Sequence, residues 1–219
     1  MNMNKDTLTV LKNFAGINKY MRISKGNVLM IFNPSLPLFA RAEISDFFPK
    51  EFSIYDLNQW LSTLSLFEDP DIDFGDKQMV ISAGRINAKY RYSASSVTAD
   101  QPTNIPNIPE TLYSFDLKKE QLSEILKASS VLGLKEIEFS VNGIRCLNSD
   151  NAGNAIDNEY QSLIEDVSVV DESFAKPVKV KVEVLKLLPL DYNVSITEKL
   201  VKFSNEENKL DYYAGIIVK

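Results

Sequence analysis

The sequence predicts an α+β fold of two similar halves, each with two helices packed on an antiparallel sheet. Three observations carry this. Helical spacing of apolar residues is confined to a few segments, and many short runs of strand character with turn signals fill the rest. One order of elements, helix then strand then strand, also recurs in both halves.

The first helix is "KDTLTVLKNFAGIN". Leu8, Leu11, Phe14 and Ala15 make its apolar stripe, while Lys5, Thr9, Lys12 and Gly16 stack on another face. The second is "SIYDLNQWLSTLSLF", with Ser53 as the expected cap and Ile54, Leu57, Leu61 and Leu64 on one side. Trp60 is expected to pack there in the core. The third, "FDLKKEQLSEILKASSVLG", is expected to open at Ser114 or Asp116 and to close at Gly133. A shorter fourth helix is expected in "VEVLKLLPLDYN", stopped by Pro189.

Strand character marks "NVLMIF", "LPLFARAEIS", "QMVISAG", "INAKYRYSA", "EIEFSV" and "GIRCLN". It continues in "YQSLIEDVSVVD", "VKVKV", "DYNVSI", "KLVKFS" and "LDYYAGIIV". "YDL" at 55–57 recurs as "FDL" at 115–117, and "IDF" at 72–74 as "IEF" at 137–139. The stretch between carries Pro102, Pro106 and Pro109 and reads as a stiff extended linker. Residues 1–100 are thus expected to form an N-terminal domain, 101–112 a linker and 113–219 a C-terminal domain.

Composition excludes several chemistries. With no histidine, Ser-His-Asp and Cys-His catalysis and a Cys/His zinc site fall away. Cys146 is the single cysteine, so no internal disulfide forms, and a reducing cytosol is the expected compartment. Neither a membrane span nor a signal-peptide core is expected, since Lys12 interrupts the first apolar stretch. The acidic run "EDPDIDFGD" lacks the spacing of a calcium loop and reads as a solvated connection. Cys146 reads as a small buried apolar residue. Glu165 and Asp166, taken as strand residues, have no companion base.

Charge is distributed unevenly. Residues 1–41 hold six bases, Lys5, Lys12, Lys19, Arg22, Lys25 and Arg41, against the one acid Asp6. That local +5, in a chain of net charge −6, leaves −11 for the rest. A lysine face on a helix is ordinarily solvated surface; the functional reading is sequence-independent contact with phosphate. The third helix repeats the theme with Lys119, Ser123, Lys127 and Ser130, though Glu120 and Glu124 stand among them. Lys186 is a single charge on the fourth segment. Ile105, Ile108, Leu112, Tyr113, Ile216 and Ile217 are either a sheet edge with a tucked linker or a groove for an apolar peptide.

"KDTLTVLKNFAGIN", "ISD…YDLNQWLSTLSL" and the proline linker leading into "LKKEQLSEILKASSVLG" resemble the sliding clamp of T4-type bacteriophages, the DNA polymerase processivity factor. "KLLPLDYNVSI" resembles that family's last short helix and following strand. The resemblance implies a homotrimeric ring of six similar domains around duplex DNA, helices lining the hole and sheets forming the rim. It implies DNA contact by Lys5, Thr9, Lys12 and Lys19, and by Lys119, Lys127 and Lys186; Ser130 stands where the family has another base. It also implies a partner-peptide groove at Ile105, Ile108, Leu112, Tyr113, Ile216 and Ile217. The partners implied are DNA polymerase, an ATP-dependent clamp loader and factors of late transcription, in the cytoplasm of an infected bacterium. No cofactor, metal or catalytic group is implied.

Two other readings stay open. A monomeric DNA-binding replication accessory protein would share the basic helix without forming a ring. A carboxylate-dependent enzyme would need acids such as Asp71 and Asp73 to converge on Mg²⁺.

Overall fold

The computed structural model describes residues 1–149, 158–170 and 176–217. The chain divides into two compact units, residues 1–33 with 39–105, and residues 34–38 with 106–219. The expected linker 101–112 is therefore divided between 105 and 106. The turn Pro34–Leu38, unexpectedly, belongs with the second unit.

In the first unit α1 (Lys5–Ile17) starts at Asn4, whose side chain accepts from the Asp6 N–H at 2.9 Å. Leu11, Phe14, Ala15 and Ile17 are buried. β1 (Met21–Ile23), β2 (Gly26–Asn33), β3 (Leu38–Phe48) and β4 (Phe52–Ile54) follow. β1 pairs antiparallel with β4, and β2 lies beside β3. α2 (Leu57–Leu64) buries Leu57, Trp60, Leu61 and Leu64 and packs against α1. β5 (Asp71–Phe74), β6 (Gln78–Ala83) and β7 (Ile86–Arg91) complete the unit as an antiparallel sheet in that order.

Ser53 does not cap α2. It sits in β4, where its hydroxyl and that of Thr98 share a buried hydrogen bond of 2.7 Å, and Ile54 is likewise in the strand. Asp56 caps instead, accepting from the Gln59 N–H at 2.9 Å. The aromatic and β-branched residues of "FSI" found a strand partner, which overrode the helical spacing. The "EDPDIDFGD" run is only partly a connection, because Asp71–Phe74 is β5. Both halves of the "IDF"/"IEF" repeat are strands.

The second unit opens with β8 (Tyr113–Leu117) and α3 (Lys119–Leu132), which buries Leu122, Ile125 and Ser129. β9 (Glu136–Ser140), β10 (Gly143–Leu147), β11 (Tyr160–Ser162), β12 (Ser168–Val169) and β13 (Val178–Lys181) follow. β14 (Tyr192–Ile196), β15 (Leu200–Asn205) and β16 (Leu210–Gly215) end it. One sheet runs β11-β10-β9-β13, and β12-β8-β14-β15-β16 lie side by side in another. Phe139 of β9 stacks between Phe115 and Phe203, with ring centroids 6.1 and 6.0 Å away. Cys146 is buried, as expected, and burial pushes its thiol pKa up. Glu165 and Asp166 lie in the connection between β11 and β12, not in a strand.

Ser114 and Asp116 do not open α3. Both lie in β8, paired with β14. The cap position is Lys118, which has no side-chain bond to offer; Asp191 supplies the acceptor from 72 residues away, taking the Lys119 N–H at 2.9 Å. Gly133 does end α3, at φ 67°, a left-handed conformation that glycine enters without cost.

The fourth helix does not form. Only Val182–Val184 make one turn of 3-10 helix, and the chain then leaves helical backbone at Leu185. Valines at both ends of the turn are poor helix formers. Beyond it the Leu188 N–H donates to the Tyr212 hydroxyl, and Pro189 has no N–H to give. The second unit therefore carries one α-helix among its described residues. Among the described residues no helix is long and apolar enough to cross a membrane.

Candidate nucleic-acid interface and partner groove

α1 presents its lysines because the opposite stripe is committed to the core. Lys5, Thr9, Lys12 and Gly16 are all exposed on one face, spaced 4, 3 and 4 residues apart. The Thr9 hydroxyl donates to the Lys5 carbonyl at 3.0 Å, which leaves that face to the two ammonium groups. Among the described residues neither Lys5 nor Lys12 enters an ion pair. Lys19 follows the C-cap Asn18, its Nζ 5.3 Å from the centroid of the exposed Tyr55 ring. α2 adds Asn58, Gln59, Ser62 and Ser65 as an uncharged polar surface, which sequence reasoning had not singled out.

On α3, Lys119 and Lys127 are exposed beside Ser123 and Ser130. Lys119 stands 3.7 Å from Glu120, and Glu124 is exposed too, so the charge of this helix is balanced. Lys186 is exposed, but it lies on irregular chain after the 3-10 turn, not on a helix.

The groove residues part company. Ile108 is exposed, and Leu112, Ile216 and Ile217 are half-buried. Leu112 N–H donates to Ile196 O at 2.7 Å, and Ile216 N–H to Lys199 O at 3.2 Å. Both therefore sit at the end of the sheet where β14 turns into β15. Ile105 is exposed in the first unit. Tyr113 departs from the expectation: it is fully buried in β8 and its hydroxyl donates to Phe139 O at 2.9 Å, so it cannot line a surface. Sequence reasoning missed Pro37, whose carbonyl accepts from the Gly215 N–H at 2.7 Å. A Cβ on Gly215 would lie 2.9 Å from Pro37 Cβ, so this close approach demands glycine. Nothing in local spacing signals a contact across 178 residues.

Asp71 and Asp73 stand on one face of β5, both exposed. No group of three His, Cys, Asp or Glu side chains able to hold a metal occurs among the described residues.

An antiparallel α+β architecture of two units, with bases on a solvent-facing helix, defines a clamp-like fold. Residues 4–98 match the family described as DNA polymerase processivity factor. The sliding clamp of Vibrio phage KVP40 is 33% identical over 200 residues, covering 90% of each chain. That of Enterobacteria phage T4 is 30% identical over 142 residues, 64% of this chain and 62% of the relative. A. fulgidus PCNA, solved with the C-terminal region of FEN-1 bound, shares the fold at a TM-score of 0.68 and 13% identity, covering 99% of this chain and 97% of that one. The chain belongs to the sliding-clamp family of T4-like phages.

Proposed function

We propose that three copies of this chain close into a ring around duplex DNA and tether the replicative polymerase for processive synthesis. The observation that carries this is α1: two lysines on one open face, without carboxylate partners among the described residues, in a chain that is otherwise acidic. Lys5, Lys12 and Lys19, with Thr9, attract phosphate without reading bases, which suits a ring that slides. Lys119, Lys127 and Lys186 add contacts from the second unit, weakened on α3 by Glu120 and Glu124. An acidic exterior discourages DNA from wrapping outside.

Two open strand edges support ring closure. β7 is an outer strand with exposed Lys89 and Arg91, and β11 is an outer strand flanked by exposed Glu159 and Glu165. Opposite charges on two different surfaces favour head-to-tail association, which closes into rings and removes unpaired edges. The surface at Ile108, Leu112, Ile216 and Ile217 is the groove for short apolar motifs of polymerase and other partners. The bound FEN-1 tail of A. fulgidus PCNA is a precedent for a peptide partner in the same fold. Tethering needs no catalytic group; ATP hydrolysis belongs to a clamp loader. Late-transcription factors would use the same groove, and the setting is the cytoplasm of an infected bacterium.

The test is solution mass by light scattering across concentrations, then retention on circular against linear DNA. A species near three times 24.7 kDa that stays on circles and runs off linear ends supports the ring. A monomer at every concentration that binds short linear DNA directly would replace it with an accessory protein.

A further inference from the structure

The α1 lysines assigned to phosphate contact also border a cavity. Between α1 and the end of α2 the first unit holds a pocket of about 190 Å³. Leu8, Leu61, Leu64 and Phe67 wall it with apolar surface, and Lys5 and Lys12 stand on its α1 side. Leu61 and Leu64 are buried, whereas Leu8 and Phe67 are half-buried, so the pocket has an apolar floor and an open mouth. Asp69 is the one carboxylate of its lining and is outnumbered by the two ammonium groups.

Size and charge together select an occupant. An apolar cavity of ~150 Å³ is enough to seat benzene. This pocket therefore has room for one aromatic ring carrying a small substituent. The substituent that would be stabilised at Lys5 and Lys12 is an anion, because an ammonium offers donors and positive charge but no acceptor. We infer that the pocket binds a small aryl carboxylate, its ring against Leu61, Leu64 and Phe67 and its carboxylate at the α1 lysines. A cationic or neutral ring gains only the apolar part of this energy. Occupation would also offset one of the two lysine charges and oppose phosphate contact by α1; that consequence, unlike the binding, rests on the ring reading.

The probe is 4-trifluoromethylbenzoate, followed by fluorine NMR on the full chain. Saturable binding near millimolar is expected, the range for a ligand of this size. The neutral 4-trifluoromethylbenzamide should bind about two- to fivefold more weakly, the difference an exposed charge contact supplies. Lys5→Gln with Lys12→Gln should erase that preference while leaving the weak amide signal. Ser65→Trp, which fills the mouth from an exposed position, should abolish both. No saturable shift, equal affinity for acid and amide, or a preference that survives Lys5→Gln/Lys12→Gln would overturn the proposal. DNA retention is measured separately, so a failed ring does not count against the pocket.

Discussion

Asp191 does from across the fold what a capping residue does from next door. Its carboxylate accepts from the Lys119 N–H at 2.9 Å and from the Lys118 ammonium at 3.1 Å. The backbone bond first, then Lys118, holds the Asp191 pKa below the ordinary carboxylate value. A depressed folded pKa gives stability that is complete above the unfolded value of about 4 and lost as pH falls through the folded one. Asp191→Asn should therefore melt below the parent at pH 7, and the gap should close at more acid pH. Thermal melts from pH 7 to pH 3 measure this; a gap of constant size would rule out the ionised cap. Lys118, raised by the same pair, titrates far above this window. Gly215 offers a steric test. Gly215→Ala puts a methyl against Pro37, and overpacking of this kind costs about 1–3 kcal/mol. Urea midpoints should show that loss, and it should shrink when measured in a Pro37→Gly background, which lacks the Cβ and Cγ that the new methyl meets. An unchanged midpoint would mean that the turn Pro34–Leu38 yields freely.

At the scale of the element, α1 separates stability from function. Its core face is Leu11, Phe14, Ala15 and Ile17, and Lys5 and Lys12 are exposed on another. Lys5→Glu with Lys12→Glu should leave circular dichroism unchanged and stability within about 0.5 kcal/mol. DNA retention or loading should nevertheless fall. The milder Lys5→Gln/Lys12→Gln pair should flatten the dependence of log affinity on log salt by about 0.9 per lysine in each chain. Retention by the Glu pair equal to that of the parent would return α1 to an ordinary solvated face. α3 makes the internal control, because Glu120 already offsets Lys119; Lys119→Gln should matter less than Lys12→Gln.

At the scale of the whole molecule, the prediction concerns the edges. Lys89→Glu with Arg91→Glu on β7 should lower the solution mass at a given concentration. Glu159→Lys with Glu165→Lys beside β11 should do the same. Combining both pairs of changes in one chain should restore assembly, since every seam of the three-membered ring then meets an opposite charge. If both variants keep the parent's mass at every dilution, the seam lies elsewhere or is apolar. Raised salt should mimic the single variants, because exposed pairs are screened beyond about 10 Å at 0.1 M.

What the sequence determined by itself was local. The α+β class, the bounds of α1, its lysine face and the stop at Gly133 all follow from spacing, charge and backbone freedom within a dozen residues. Only the tertiary structure decided the rest. "FSI" became strand because β1 offered hydrogen bonds that a helix start at Ser53 would have forfeited. α3 begins at Lys119 because Asp191 satisfies its first N–H, and no neighbour in sequence reveals that partner. The fourth helix failed because Tyr212 captured the Leu188 N–H beside Pro189. Tyr113 went inward because Phe139 O awaited its hydroxyl, and Pro37 entered the second unit through Gly215. The lysine face of the candidate site was thus legible, since charge needs no partner to be exposed. The groove was not, because an apolar residue becomes surface or core only when distant strands compete to cover it.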